Sequence, residues 1–364
     1  MVAGNLFGGV ESMLLTLARY HSTCPGLGQA FAVCFEGRLA SELDRQGATV
    51  HRLGPVRASR PWSVLEARRV LGGVLDDGGY DWLICHGAWP LGLLGPATRG
   101  RSARLAFWMH DSAAGKSWVE RYAKRARPNL AICNSQHTAR SLPTLFKNLA
   151  FTVLHCPVPP PEPLSPGKRG QLRSQFGATE AEFVILIAAR FEEWKGHRFL
   201  IDALAACSDV PSWRLWVAGA AQRPHEELYR AALKEDVEKH RLSSRVLFLG
   251  QRTDVPDLMA AADLYCQPNT GPEPFGISFV EALYAGLPVV TSAFGGALEI
   301  VTSNCGQLVP PGDSAALVRA LRLALGDKTQ RESAGVNGPR RAAELCDPAR
   351  QLSRLEQSLA GAPA

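Results

Sequence analysis

The stretch GPEPFGISFVEALYAGLPVV, residues 271–290, holds Glu273 and Glu281 with seven residues between them and glycines on both sides. GPEPFGIS contains two glycines and two prolines and reads as a loop. SFVEALYAG reads as a helix that begins near Ile277 or Ser278 and ends at Gly286. The free amides and positive dipole end of such a helix form a phosphate site, and Gly276 lets a ligand approach the backbone. Glu281 falls about one turn inside the helix and Glu273 lies in the loop ahead of it, so both are placed to meet one ligand. A carboxylate accepts two hydrogen bonds, which suits vicinal hydroxyls of a ribose or a hexose. The competing reading of the same residues is structural: Glu281 as a first-turn acid favoured by the helix dipole, and Glu273 as a solvated loop residue.

A second loop, ARFEEWKGHRFLIDAL, weighs on that choice. Arg190 directly follows the seven apolar residues FVILIAA, and Lys195 with Gly196 opens a helix. Two cations beside a diphosphate neutralise charge as a metal would and favour a leaving group that departs as an anion. A single lysine is more simply read as solvated; an arginine at the end of a buried strand is harder to dismiss. Ligands in open α/β sheets bind beyond the carboxyl ends of the strands, which adds further polar residues to the candidates. In the first half these are Gly8, Gly9, His86 after DWLIC, His110 and Asp111 after ARLAFWM, and Asn134 with Ser135 after PNLAIC. In the second half they are Gly219 after RLWVA and Gln251 with Arg252 after RVLFLG.

The elements that must position these residues follow a βαβ rhythm. QAFAVCF, TVHRLG, DWLICHG, ARLAFWMH, PNLAICNS and FTVLHC alternate with helical stretches, which predicts a mostly parallel, doubly wound α/β domain over residues 1–157. CPVPPPEPLSPGKRG has five prolines between Pro157 and Pro163 and reads as an interdomain linker over 158–170. FVILIAA, RLWVAG, RVLFLG, DLYCQP and PVVTS then give a second α/β domain over 171–345, followed by a carboxy-terminal helix over 346–364 with a break near Asp347 and Pro348. The first domain has one irregularity. Only MVAGNLF precedes Gly8 and Gly9, so the strand that normally opens such a domain is expected to be missing or very short, as from a late start codon or a truncated chain.

Composition narrows the class. At 364 residues the chain suits two domains, and 46% hydrophobic with 20% charged residues is the balance of a folded protein, not a disordered or fibrous one. Nine scattered cysteines with no CxxC pair argue against a disulfide framework or zinc ribbon and fit a reducing cytosol. No apolar run approaches a membrane span and the start lacks signal-peptide features, so a cytoplasmic protein is expected. A net charge of +6 is mild and does not by itself point to nucleic acid.

GGVE near the start, ARFEEWKG, GQRTDVPDLMAAADLYCQPN and EPFGISFVEALYAGLPVVTSAFGG together resemble glycosyltransferase family 4, retaining enzymes of GT-B fold. The resemblance runs through nearly the whole chain from Gly8. It implies two Rossmann-like domains facing a cleft, a nucleotide-sugar donor held mainly by the second, UDP- or GDP-linked, and an acceptor held mainly by the first. Residue by residue, it implies that Arg190 and Lys195 bind the donor diphosphate, Glu281 the ribose, and Glu273 the transferred sugar. The amides around Phe275, Gly276 and Ile277 would help to hold sugar and phosphate. Gly9 would let its loop approach the diphosphate, His110 would lie near the anomeric carbon, and Arg252 would border the base; Gly219 is a weaker site. No metal and no further cofactor are implied, and the sequence carries no Asp-x-Asp pair. The acceptor would be a glycan, a lipid-linked or a small molecule, in cell-envelope or exopolysaccharide synthesis.

The chain departs from the family pattern at LHCPVPPPEP, where an Asn-Gly-Val-Asp turn is common, and after Gly219, where AAQRPHEE replaces a glycine-rich turn. KSWVERYAKRAR, residues 116–127, has five cations and one acid on a helical pattern; it is either a solvated face or a peripheral contact with the inner face of the plasma membrane. His86 is either a structural histidine or part of the acceptor site. The rival to the enzyme is a noncatalytic nucleotide-sugar-binding partner subunit with a degraded acceptor half, and a GT-B phosphorylase or epimerase is a further alternative.

Overall fold

The computed structural model describes residues 1–4, 7–326 and 328–362, without the side chains of Lys328 and Gln330. The chain divides into two compact units. One comprises Met1–Pro159 with Cys346–Ala364, the other Pro160–Leu345.

In the first unit, β1 (Phe31–Val33) pairs with β2 (Val50–Arg52), and β3 (Trp82–His86), β4 (Arg104–Met109), β5 (Leu130–Cys133) and β6 (Phe151–Val153) form a parallel sheet in that order. Residues Met1–Ala3 lie between the two sets. The Val2 amide donates to the Ala32 carbonyl at 3.1 Å, the His86 amide to the Met1 carbonyl at 3.0 Å, and the Met1 amino group to the Ile84 carbonyl at 2.8 Å. A single bridge, Val2 to Val33, thus stands where an opening strand is expected. The core behind it is apolar and close-packed, with Cys34, Cys85, Leu91, Leu94, Phe107 and Met109 all buried. Burial pushes the Cys34 and Cys85 thiols up to about 12, so they behave as small apolar residues.

In the second unit, six parallel strands run in the order β12-β11-β10-β7-β8-β9. They are β7 (Phe183–Ala188), β8 (Trp213–Ala218), β9 (Val246–Gly250), β10 (Leu264–Gln267), β11 (Val289–Ser292) and β12 (Gly306–Val309). The chain order reverses between β7 and β10, which makes their carboxyl ends a switch point, the usual ligand position in such sheets. Helices flank the strands, as the unbroken apolar runs in β7 and β8 require. Two segments differ from their sequence reading. The basic stretch 116–127 is helical only over Trp118–Ala123, and the helix Lys168–Gln175 begins inside the proline-rich segment. The terminal helix Pro348–Ala360 packs on the first unit, where the Arg104 guanidinium donates to the Leu359 carbonyl at 3.1 Å.

Candidate functional site

In the second unit β7 and β10 are neighbours, with Leu264 opposite Ile185, so the loops leaving their carboxyl ends meet. The Thr270 amide donates to the Trp194 carbonyl at 2.9 Å. Gly196, at φ +79°, sits so close to Pro268 that a Cβ would fall 2.0 Å from its carbonyl oxygen. That approach brings Lys195 Nζ to 2.6 Å from Glu273 Oε2, with the ammonium also 4.0 Å from the centre of the Trp194 ring.

Glu273 is held from behind by a buried amide pair. Gln267 Nε2 donates to Oε2 at 3.3 Å and Asn269 Nδ2 at 3.2 Å. Gln267 is itself fixed, because its Oε1 accepts from the Tyr265 hydroxyl at 2.8 Å and its Nε2 reaches Asn269 Oδ1 at 2.9 Å. Among the described residues three donors reach the carboxylate, all at Oε2, and none reaches Oε1. The Gly296 amide donates to the Glu273 carbonyl at 2.7 Å, and Phe275 is buried beside it.

The helix spans Ile277–Tyr284, with Gly276 at φ +109° as its N-cap and Gly286 at φ +74° just past its end. Only glycine adopts both conformations without strain. Glu281 lies one turn inside and keeps part of its surface accessible. No hydrogen bond to its carboxylate occurs among the described residues, and burial pushes its carboxyl up to about 7.

Arg190 is bracketed by two carboxylates, Glu192 Oε1 at 2.8 Å and the fully buried Glu226 Oε1 at 3.4 Å. The other oxygen of Glu226 accepts from the Gln222 amide at 2.6 Å. Arg252 spends its guanidinium on Asp254, at 2.8 and 2.6 Å. Gly219 has an ordinary φ but admits no side chain, since a Cβ would lie 2.0 Å from the Ala189 carbonyl oxygen.

In the first unit, Gly8 caps the helix Gly9–Arg19, and the Glu11 carboxylate accepts from the Gly8 amide at 2.9 Å. His86 and His110 are joined directly, Nδ1 of one 3.0 Å from Nε2 of the other, and both rings stack with Trp108. Burial pushes the His110 imidazole down to about 3. His86 is also pushed well below its usual range, first by burial and then by the Met1 amino group and His110. Both rings are therefore neutral at neutral pH. Asn134 and Ser135 are structural: Asn134 Nδ2 donates to the His110 carbonyl at 3.2 Å, and Ser135 Oγ accepts from the Thr138 amide at 3.0 Å as a helix cap. Asp111 and Gln251 are exposed. His86 and His110 border a cavity of about 440 Å³ within this unit.

The structure thus brings Lys195 together with Glu273 and the start of helix Ile277–Tyr284 in one unit, and His110 with His86 in the other. Gln267 and Asn269, which complete the first of these clusters, carried no signal in the sequence beyond lying at or after a strand end, and Glu226, which pairs with Arg190, lies inside the helix Pro224–Lys239 and carried none. Among the described residues no group of His, Cys, Asp and Glu is arranged to hold a metal ion, and no helix is long and apolar enough to cross a membrane.

Two doubly wound parallel units of this kind define the GT-B class of glycosyltransferases, and the comparisons agree. A family model described as "Glycosyltransferase Family 4" matches residues 7–161, and one described as "Glycosyl transferases group 1" matches residues 168–341. The chain belongs to the glycosyltransferases of this family 4 type. Among solved structures, the Anabaena protein Alr3699/HepE in complex with UDP and glucose is 26% identical, with a TM-score of 0.86 over 99% of this chain and 98% of that one. The lipopolysaccharide core biosynthesis mannosyltransferase LpsB of Rhizobium meliloti (strain 1021) is 30% identical over 201 residues, 53% of this chain and 57% of LpsB. A phosphatidyl-myo-inositol mannosyltransferase of Mycobacterium leprae (strain TN) is 38% identical over 165 residues, 43% of this chain and 42% of that one. The chain thus spans about half the length of these curated relatives.

Proposed function

We propose that the chain is a retaining glycosyltransferase that moves a hexose from a nucleoside diphosphate donor to a hydroxyl acceptor in glycan synthesis. The observation that carries this reading is the convergence of Lys195, Glu273, the Gln267–Asn269 pair and the open start of helix Ile277–Tyr284 on one point. Lys195 and Arg190 bind the diphosphate and stabilise it as it leaves, which is the charge compensation a metal supplies elsewhere. The amides at Phe275, Gly276 and Ile277 add to that stabilisation. Glu281 accepts the ribose hydroxyls. The Oε1 atom of Glu273, which none of the three donors engages, accepts hydroxyls of the transferred sugar.

Gly9 admits the diphosphate to the amino-terminal loop, and His110 stands by the anomeric carbon as a neutral ring. Arg252, already committed to Asp254, borders the base through its backbone, and Gly219 keeps the neighbouring turn open. The donor is a UDP- or GDP-linked hexose, and the UDP and glucose in the Anabaena complex and the mannosyl transfer named for the other relatives support glucose or mannose as its sugar. The leaving phosphate and the incoming hydroxyl share one face of the sugar, which preserves the anomeric configuration without a protein nucleophile.

Incubation of the purified chain with each donor tests the reading. Release of UDP or GDP that survives a chelator and is lost in Lys195→Ala supports it. Turnover that a chelator abolishes contradicts the metal-free part, and no binding or turnover of either donor contradicts the whole. The domain assignment, the cytoplasmic location at the inner membrane face and the absence of a further cofactor belong to the same proposal.

A further inference from the structure

The cavity that His86 and His110 border is walled by Val10, Trp89, Phe107, Met109, Val119 and Leu145, and at about 440 Å³ it has the size of a small-molecule site. Its charged lining has one sign. Glu11, Asp111 and Glu120 line it, and among the described lining residues there is no lysine or arginine. Burial acts to raise the Glu120 carboxyl, but hydrogen bonds from Ser117 and Ala114 outweigh it and hold the group below its usual range, so it stays ionised. The two histidines are neutral and spend their facing nitrogens on each other. The Met1 amino group behind the wall is bonded to the Ile84 carbonyl. An anionic group entering here would face the acidic residues Glu11, Asp111 and Glu120, with no lysine or arginine among the described lining residues to offset them. An apolar group would gain about fourfold in affinity for each methylene it buries.

We propose that the acceptor is a neutral molecule whose nucleophilic hydroxyl stands beside an apolar group, of the chemical class of an alkyl or aryl glycoside, and that this apolar group fills the cavity. The proposal rests on the glycosyl-transfer reading for the role of the ligand, but the binding chemistry of the cavity stands by itself.

Calorimetry on the full chain with n-hexyl β-D-glucoside, methyl β-D-glucoside and n-hexyl β-D-glucuronide tests it, with donor turnover measured in parallel. The hexyl glucoside is expected to bind at least tenfold more tightly than the methyl glucoside and at least tenfold more tightly than the glucuronide, which differs by one carboxylate. Val119→Lys is expected to weaken the hexyl glucoside at least tenfold and to narrow its lead over the glucuronide, while Val119→Ser narrows it little. Equal binding of hexyl and methyl glucosides, or a glucuronide that binds as well as the glucoside, overturns the proposal even where donor turnover is intact. Tight, selective binding of the hexyl glucoside with no turnover of any donor sustains the cavity chemistry and refutes the transferase reading instead.

Discussion

Lys195 Nζ lies 2.6 Å from Glu273 Oε2 although 78 residues of chain separate them. The cation proposed for the diphosphate and the carboxylate proposed for the sugar are thus partners before any donor arrives. The pair holds both side chains in place, and donor binding replaces one contact of a ready-made set.

Removing either partner is expected to have different effects. Lys195→Ala leaves the largely buried Glu273 uncompensated, so it is expected to lower thermal stability and UDP affinity together and to cut turnover by roughly a hundredfold or more. Glu273→Gln is expected to leave UDP affinity within a few fold while turnover falls by a similar factor. Equal loss of UDP affinity in both variants would show that Glu273 serves the phosphate and not the sugar.

Glu281 predicts a pH dependence. Its carboxyl titrates at about 7 in the fold against an ordinary 4.5, so the native state prefers it protonated. Its contribution to stability is therefore complete below about pH 4.5 and is lost as pH rises through about 7. Glu281→Gln is expected to be more stable than the natural chain at pH 8, by about 1–2 kcal/mol once partial exposure is allowed for, and equal to it at pH 4.5. Donor affinity should rise with pH through about 7 in the natural chain, as the carboxylate forms, and stay flat in Glu281→Gln. Urea unfolding and UDP titration at the two pH values measure both.

The histidine pair predicts a separation of binding from turnover. His86→Phe removes the hydrogen bond that orients His110 and keeps the stacking area against Trp108. UDP affinity, proposed above to rest mainly on residues of the other unit, should change little, whereas turnover should fall by up to about a hundredfold from misplacement of His110. His86→Gln, which can still hydrogen-bond, should recover part of it. A loss of melting temperature with no change in turnover would return His86 to a purely structural role.

Gly276 makes a backbone prediction. At φ +109°, with Phe279 Cδ2 only 2.3 Å from where a Cβ would stand, Gly276→Ala is expected to cost more than about 1 kcal/mol of stability and to abolish UDP binding. Unchanged affinity would mean that the helix start is not the phosphate site.

Much of this was legible in the sequence, because helix signals and strand ends are local. GPEPFGIS followed by SFVEALYAG put the helix start near Ile277 or Ser278, and it is at Ile277; the apolar run before Arg190 placed that residue just past the end of β7. What pairs across strands was not legible. Lys195 meets Glu273 only because β7 and β10 are neighbours, and Glu226 reaches Arg190 from a helix 36 residues away. His86 meets His110 because the β3–β4 register sets His86 opposite Trp108. A slip of one residue would turn these rings to opposite faces, and a single sequence does not carry that register. The opening strand is a partial case: its brevity was readable, but its placement between β1 and β3 was not.

The loops bearing Lys195 and Glu273 are backed at three points by bare backbone, since a Cβ on Gly196, Gly295 or Gly296 would fall 2.0, 2.1 or 2.4 Å from a neighbouring carbonyl oxygen. Selection for a different sugar, natural or in the laboratory, therefore has no adjustable layer behind these loops to work on. It must keep the three glycines and vary the side chains the loops themselves carry, so a saturation scan should find these positions as intolerant as the two glutamates.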